Sequence, residues 1–384
     1  MRIYLDHNAT TPVDSTVIEA MDDALRNCFG NPSSVHAYGQ TAKAALDGGR
    51  AAVAELLNAQ PSEILFTGSG TEADTLALRG LAAAVQPGTK NHLIATTIEH
   101  EAVLNTLKAL NRTGWTTSLL PVYETGTVAP TSLEQAITDD TALVSVMHAN
   151  NEIGTIQPIS ELATIAHQHG ALFHTDAVQT AGKYPIDVAT LGVDLLSISA
   201  HKFNGPKGVG ALWVRRGTRL IPEMTGGGQE KNRRAGTENV PAIVGLGVAA
   251  RLAKKAVEHQ SKVTAKLRDD LESGILSVVS DTFINGSSNR VPNTTNISFT
   301  GVEAESLLIA LDLAGIAVST GSACSSGTLE PSHVLKAMGL STHRAQNSIR
   351  FSLGLNNTET EIVRTIQTLP TLVHKLRALS RTGS

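Results

Sequence analysis

The sequence predicts a doubly wound α/β fold followed by a smaller α+β unit. Three observations carry that expectation: short β-rich runs that are apolar throughout, helical segments between them with apolar residues at three- and four-residue spacing, and a change of pattern after a long Ala/Leu/Lys stretch. The runs are Glu63–Thr67 (EILFT), His92–Thr97 (HLIATT), Ala142–Met147 (ALVSVM), Ala171–His174 (ALFH) and Asp194–Ser199 (DLLSIS), each read as a buried parallel strand. Thr71–Ala84, Glu101–Leu110 and Ser160–His169 read as helices, which makes βαβ units whose ligands gather at the carboxyl ends of the strands. After Thr225-Gly226-Gly227-Gly228 a helix pattern runs from about Pro241 to Leu271, and a boundary near residue 255 divides a large unit, 1–255, from a small one, 256–384. In the small unit, strands at Asn296–Phe299, Ala317–Ser319 and Ser348–Ser352 alternate with helices at Glu303–Leu313 and Pro331–Met338. A closing helical stretch covers Thr358–Leu379, with Pro370 as a point of kinking or splitting.

Composition narrows the function classes. Of 384 residues, 41% are hydrophobic and 17% charged, below the roughly 25% charge of an ordinary soluble domain, so the chain compacts rather than staying disordered. Thirty-one Lys and Arg against 35 Asp and Glu give a net charge of -4, which supplies no global field for nucleic acid or an anionic membrane. Two cysteines, Cys28 and Cys324, exclude a disulfide framework and a four-thiolate metal site. Asp6 interrupts the N-terminus before an apolar signal region forms, and Val240–Ala250 is too short to cross a bilayer, so the expected location is cytoplasmic.

Chemistry-bearing residues follow the strands. Lys202, in Ser199-Ala200-His201-Lys202, emerges where ligands bind, and an amine there can be tuned into a nucleophile that forms a Schiff base with an aldehyde cofactor. Asp176 ends the preceding strand, where a carboxylate is costly unless paired, and pyridoxal phosphate requires such a partner at its ring nitrogen. The turn Thr67-Gly68-Ser69-Gly70-Thr71-Glu72 offers backbone N–H groups at a helix start to a phosphate, with Ser199 and His201 as added donors. Taken singly, these are also a loop lysine, a capping Asp and an ordinary helix cap; together they require one ligand. His100 also follows a strand, where an imidazole stacks on a flat ring or exchanges protons. A metal site of His148, His174 and Asp176 lacks any supporting ligand spacing. Cys324 lies in a run of small residues, Ser319–Thr328, expected to be mobile with an accessible thiol, whereas Cys28 near a helix end reads as structural. Arg350, inside an apolar strand, needs a carboxylate from substrate or from an internal acid. The stretch Gly226–Asn239 interleaves three cations with two acids and suits an anion or a neighbouring subunit better than nucleic acid.

With these residues in place, the sequence resembles the cysteine desulfurases, the NifS/IscS-like branch of the class V aminotransferase group of pyridoxal-phosphate enzymes. The resemblance runs through Tyr4–Pro12 (YLDHNATTP), Gly30–Ser34 (GNPSS), Phe66–Glu72, Glu99–Val103 (EHEAV), His148–Gly154 (HANNEIG), His174–Gln179, Ser199–Gly208, Arg234–Val240 (RAGTENV), Gly321–Ser325 (GSACS) and Ile349–Gly354 (IRFSLG). It implies fold type I, the aspartate aminotransferase-like fold, with the first 14 or so residues packing against the small unit. It implies Lys202 as Schiff-base lysine and proton shuttle, Asp176 as pyridinium partner, Gln179 as donor to the ring oxygen and His100 over the ring. Gly70, Thr71, Ser199 and His201 would hold the phosphate, with Thr237 supplied by the other subunit of a homodimer. Asn151 would lie beside cofactor and substrate, Arg350 would hold the substrate carboxylate, and Cys324 would accept the sulfur. The implied reaction turns L-cysteine into L-alanine and a persulfide on Cys324, for delivery to an iron–sulfur scaffold or another acceptor protein. No intrinsic metal is implied, although the persulfide could share in ligating a cluster. The chain stops soon after its last helix, without the longer tail by which some members dock a scaffold, and the wording of Tyr4–Pro12 and Gly226–Val240 is nearer the NifS type, which favours iron–sulfur or nitrogenase supply. The alternatives are a selenocysteine lyase or other class V enzyme, and a non-catalytic sulfur carrier or regulatory protein on the same fold.

Overall fold

The computed structural model describes residues 2–86, 88–320 and 331–382. The first part contains β1 (Ile3–Tyr4), α1 (Ser15–Asn27), α2 (Ala37–Leu57), β2 (Ile64–Thr67), α3 (Gly70–Ala84), β3 (His92–Thr96), α4 (Glu101–Asn111) and β4 (Thr116–Leu120). Next come α5 (Pro130–Ala136), β5 (Thr141–Ser145), α6 (Ile159–Gln168), β6 (Leu172–Asp176), α7 (Val188–Leu191), β7 (Leu195–Ser199) and β8 (Gly210–Val214). A short α8 (Gln229–Asn232) leads into the long α9 (Val240–Val278). The remainder is β9 (Thr282–Asn285), β10 (Thr294–Phe299), α10 (Ala304–Leu313), β11 (Ile316–Ala317), α11 (His333–Ala337), α12 (Thr342–Gln346), β12 (Ser348–Ser352) and α13 (Glu359–Thr382).

Among the described residues the large sheet has the order β2-β8-β7-β6-β5-β3-β4. Its β3 to β7 pair in parallel, whereas β8 runs antiparallel to both β7 and β2. The parallel pairing expected for Glu63–Thr67 is thus corrected: Ile64 faces Trp213 across an antiparallel ladder. An unbroken apolar run reports burial on both faces, not the direction of the neighbour. Successive residues here do feed opposite layers, with Phe66, Leu196 and Trp213 in one core and Leu65, Leu195 and Leu212 in the other. Residues 200–209 connect β7 to β8 and carry Lys202 to the sheet edge.

A separate core gathers Ile3 and Leu5 with Leu271, Phe299, Leu307, Phe351 and Leu369 around the β12-β10-β9 sheet. The N-terminal strand joins it by pairing β1 with β11 in parallel. Helix α9 serves both cores, giving Ile243 and Leu246 to the large one and Leu267, Leu271 and Ile275 to the small one. The expected boundary at 255 falls inside this continuous helix, and we propose that the two units divide there. Helix α13 runs on through Pro370 rather than splitting, because Leu369 and Val373 on either side both sink into the small core. Among the described residues no helix is long and apolar enough to cross a membrane.

The glycine-rich stretch before α9 is held under backbone strain. Glu230, Lys231 and Asn232 all have positive φ, at 44°, 59° and 62°, a region that non-glycine residues enter at a cost. What holds them is the carboxylate of Glu230, buried against the Arg50 guanidinium at 2.8 Å and accepting from the Phe66 N–H at 2.9 Å. Glu230→Ala would strand a largely buried guanidinium and a strand amide, so a loss of about 3 kcal/mol in stability is expected from denaturant unfolding. A change below about 0.5 kcal/mol would contradict this role.

Candidate active site

Strands β6 and β7 end side by side. Asp176 closes β6 opposite Ser197 of β7, and Lys202 follows three residues after β7 ends. Both line one cavity of about 270 Å³ with Gly70 and Thr71 from the start of α3, His100 from the start of α4, and Ser199 and His201. Asn151, Gln179 and Arg350 complete its wall, so ten of the residues singled out from sequence meet in one place. Thr237 does not: it is exposed in a separate cleft beside Cys28, Phe29 and Gly30. Cys324 and its loop, residues 321–330, lie outside the described residues.

The start of α3 is shaped for an anion. Ser69 caps the helix, its hydroxyl accepting from Glu72 N–H and its carbonyl from Ala73 N–H, which leaves the N–H groups of Gly70 and Thr71 toward the cavity. A Cβ on Gly70 would stand 2.9 Å from Val178 Cγ2 and 3.2 Å from Ser199 Cβ, so only glycine brings the backbone this close. Glu72 then braces the turn, accepting from Gly68 N–H at 2.7 Å and from Arg234 Nε at 2.8 Å. Part of the basic stretch is therefore anchored to the chain's own helix start.

Electrostatics divides the cavity into an acidic and a basic side. Asp176 is buried, and burial raises its proton affinity, against which His100, a hydrogen bond from Val178 N–H at 2.8 Å and Lys202 act. Asp74 on α3 is a second buried carboxylate, held well above the usual range by burial and by the Asp176 charge. Both carboxyls of the pair are raised, and the stronger upward push falls on Asp74. His174 lies 3.6 Å from Asp74 but stays neutral, burial having lowered it to about 3. Its two ring nitrogens engage Ser145 and Ser197, and His148 engages Thr180, so both histidines of the weighed metal site have hydrogen-bonding roles. Burial and the nearby Lys202 charge lower His201 to about 4, and its Nδ1 meets Thr10 Oγ1 at 3.1 Å.

Asn8 ties these groups together. Its carbonyl accepts from Lys202 Nζ at 2.6 Å and from Gln179 Nε2 at 3.0 Å, and Ala9 O also accepts from Lys202 at 2.9 Å. Its side chain reaches the small sheet through Thr294 Oγ1 at 2.8 Å. Arg350 finds the internal acid that its burial demands, Asp6 at 2.7 Å, and donates to Asn151 O, while its Nε has no hydrogen-bond partner among the described residues. Sequence reasoning assigned no role to Asn8, Asp74, Glu99 or Lys183. Asn8 stands inside a quoted motif, and Asp74 and Glu99 are acids placed among apolar residues beside recognised sites, a pattern that could have exposed them.

This geometry agrees with comparisons to known proteins. A family model described as Aminotransferase class-V matches residues 3–364. The chain is 48% identical to cysteine desulfurase IscS of Dictyoglomus turgidum, over 98% of this chain and 96% of that one. It is also 48% identical to cysteine desulfurase NifS of Azotobacter vinelandii, over 98% and 94%. The chain belongs to the cysteine desulfurases of the class-V aminotransferase family. A solved NifS-like protein superposes on this desulfurase with a TM-score of 0.92 at 40% identity, covering 98% of this chain and all of the other. Enzymes of this family depend on pyridoxal phosphate, and the cavity's donor set fits that group: free helix-start amides for a phosphate, a buried carboxylate for a ring nitrogen, and an amine for an aldehyde.

Glu99, next to His100, gives this cysteine desulfurase a measurable pH signature. Burial lifts its carboxyl to about 8, although Thr96 Oγ1 and Met147 N–H both donate to it. An acid raised on folding stabilises fully below its unfolded value near 4.5, and that contribution is lost as pH climbs through 8. Relative to wild type, Glu99→Gln should therefore gain thermal stability between pH 5 and 9. A difference independent of pH would show that Glu99 is ionised throughout.

Proposed function

We propose that this chain is a pyridoxal-phosphate-dependent homodimer that converts L-cysteine into L-alanine and passes the sulfur through a persulfide on Cys324 to an iron–sulfur scaffold or another acceptor protein. The meeting of Lys202, Asp176 and the open start of α3 in one cavity supports this function most directly. Gly70, Thr71, Ser199 and His201 would hold the phosphate, Asp176 the ring nitrogen, Gln179 the ring oxygen and His100 the ring face, with Asn151 alongside. When bound, the cofactor supplies an electron sink that makes the substrate Cα–H acidic.

The chain's own residues do the rest. Arg350, fixed by Asp6 and the Asn151 carbonyl, holds the substrate carboxylate at the cavity wall. Lys202 Nζ receives the Cα proton and later returns one to the product, kept in place by the carbonyls of Asn8 and Ala9. The Cys324 thiolate attacks the substrate sulfur: a sulfur–sulfur bond forms, the carbon–sulfur bond breaks, and its electron pair stays with the carbon fragment, which is protonated to alanine. Thr237, exposed in a cleft away from its own cavity, would complete the phosphate site of a partner protomer.

Incubation of the reconstituted enzyme with L-cysteine tests this function. Wild type should yield alanine and a persulfide that mass spectrometry places on Cys324. Lys202→Ala should lower alanine formation by about 10²-fold or more, and Cys324→Ala should abolish the persulfide. Selenide release from selenocysteine that survives Cys324→Ala would mark a selenocysteine lyase instead, and no alanine above background despite bound cofactor would mark a carrier protein.

A further inference from the structure

Lys183 is a half-buried lysine to which the mechanism assigns no task. It follows β6 in a turn closed by Ala181 N–H to Ala177 O and Lys183 N–H to Thr180 O, four residues after Gln179. No carboxylate pairs with it among the described residues; its Nζ donates to Gln179 Oε1 at 3.0 Å and to Asn8 Oδ1 at 3.3 Å. It lines a small second cavity of about 40 Å³, shared with His7 and with Lys202, which stands between the two cavities.

We infer that Lys183 is a positioning residue that locks the Gln179 amide with its oxygen turned to the lysine and its NH2 end turned to the Asn8 carbonyl. The amine N–H is met only by the oxygen end of the amide and the Asn8 carbonyl only by its NH2 end, so the two together select one orientation. Two acceptors for two N–H groups satisfy the amine even in its neutral form, the direction in which burial and the nearby Lys202 and Arg350 charges push it. Gln179 Nε2 gives one hydrogen to Asn8 O and keeps the other for an acceptor in the main cavity. The inference rests on the proposal that this acceptor is the ring oxygen of pyridoxal phosphate. A reversed amide would set oxygen against oxygen there and would raise the proton affinity of the Lys202–cofactor linkage.

Among the described residues, the charged and titratable groups around Lys202 include Asp176 at the end of β6, His100 at the start of α4, His201 and Lys207 on its own connection, Arg350 on β12, and Lys183 with His7 behind it. Lys183 is the one of these that grips Gln179.

The test is a pH titration of the visible absorbance of enzyme reconstituted with pyridoxal phosphate, without substrate. Lys183→Met should raise the titration midpoint by about one pH unit, Gln179→Leu should raise it as far, and the double variant should move no further. Lys183→Arg, which keeps an N–H donor for Gln179 Oε1 and adds a fixed positive charge, should leave the midpoint at or below the wild-type value. Additive shifts, or a Lys183→Met midpoint equal to wild type while Gln179→Leu shifts, would overturn the inference. If Lys183→Met does not fold, a midpoint raised above wild type in Lys183→Arg would do the same. A wild type without a visible band would instead overturn the proposed cofactor, which separates the two failures.

Discussion

Because β6 and β7 pair in parallel, their carboxyl ends open on the same edge of the sheet, and a carboxylate and an amine reach one cavity without either strand bending. That pairing needs both faces of the sheet covered, which Leu195 and Leu196 illustrate by entering opposite cores. The start of α3 then arrives at the same edge because β2 lies two places away, beyond β8. A slip of one residue between β6 and β7 would turn Asp176 into a core and remove the acid from the cavity.

Burial gives these groups their chemical character. An Asp176 open to water would bind a cation weakly; enclosed beside Asp74, any charge it carries must be answered from within the cavity. The same enclosure keeps His201 and His174 neutral and leaves Lys202 held by carbonyl dipoles. Asn8 links this arrangement to the small core, since the residues around it, Ile3, Leu5 and Asp6, pack or pair with β10, β11 and β12. The N-terminal segment thereby connects the two cores at the cavity lined by Lys202 and Asp176.

Much of the site was legible because each residue follows a strand that the apolar pattern reveals. Lys202, Asp176 and His100 could be placed from Asp194–Ser199, Ala171–His174 and His92–Thr97 alone. Pairing direction was not legible, and β8, interposed between β7 and β2, reversed the expectation for Glu63–Thr67. Strand β4 was also missed, as its Thr116 and Thr117 carry no apolar run. Lys183 and Asn8 stayed silent because their importance lies in contacts across 171 to 194 residues of chain, or within a turn with no regular period.

The central claim is that Lys202, rather than a neighbouring lysine, presents its amine to the cavity that Asp176 faces. Reduction of the pyridoxal-phosphate-reconstituted enzyme with borohydride, followed by peptide mapping, tests it directly. A stable adduct on Lys202 is the predicted result; an adduct on Lys183 or Lys207 would contradict it.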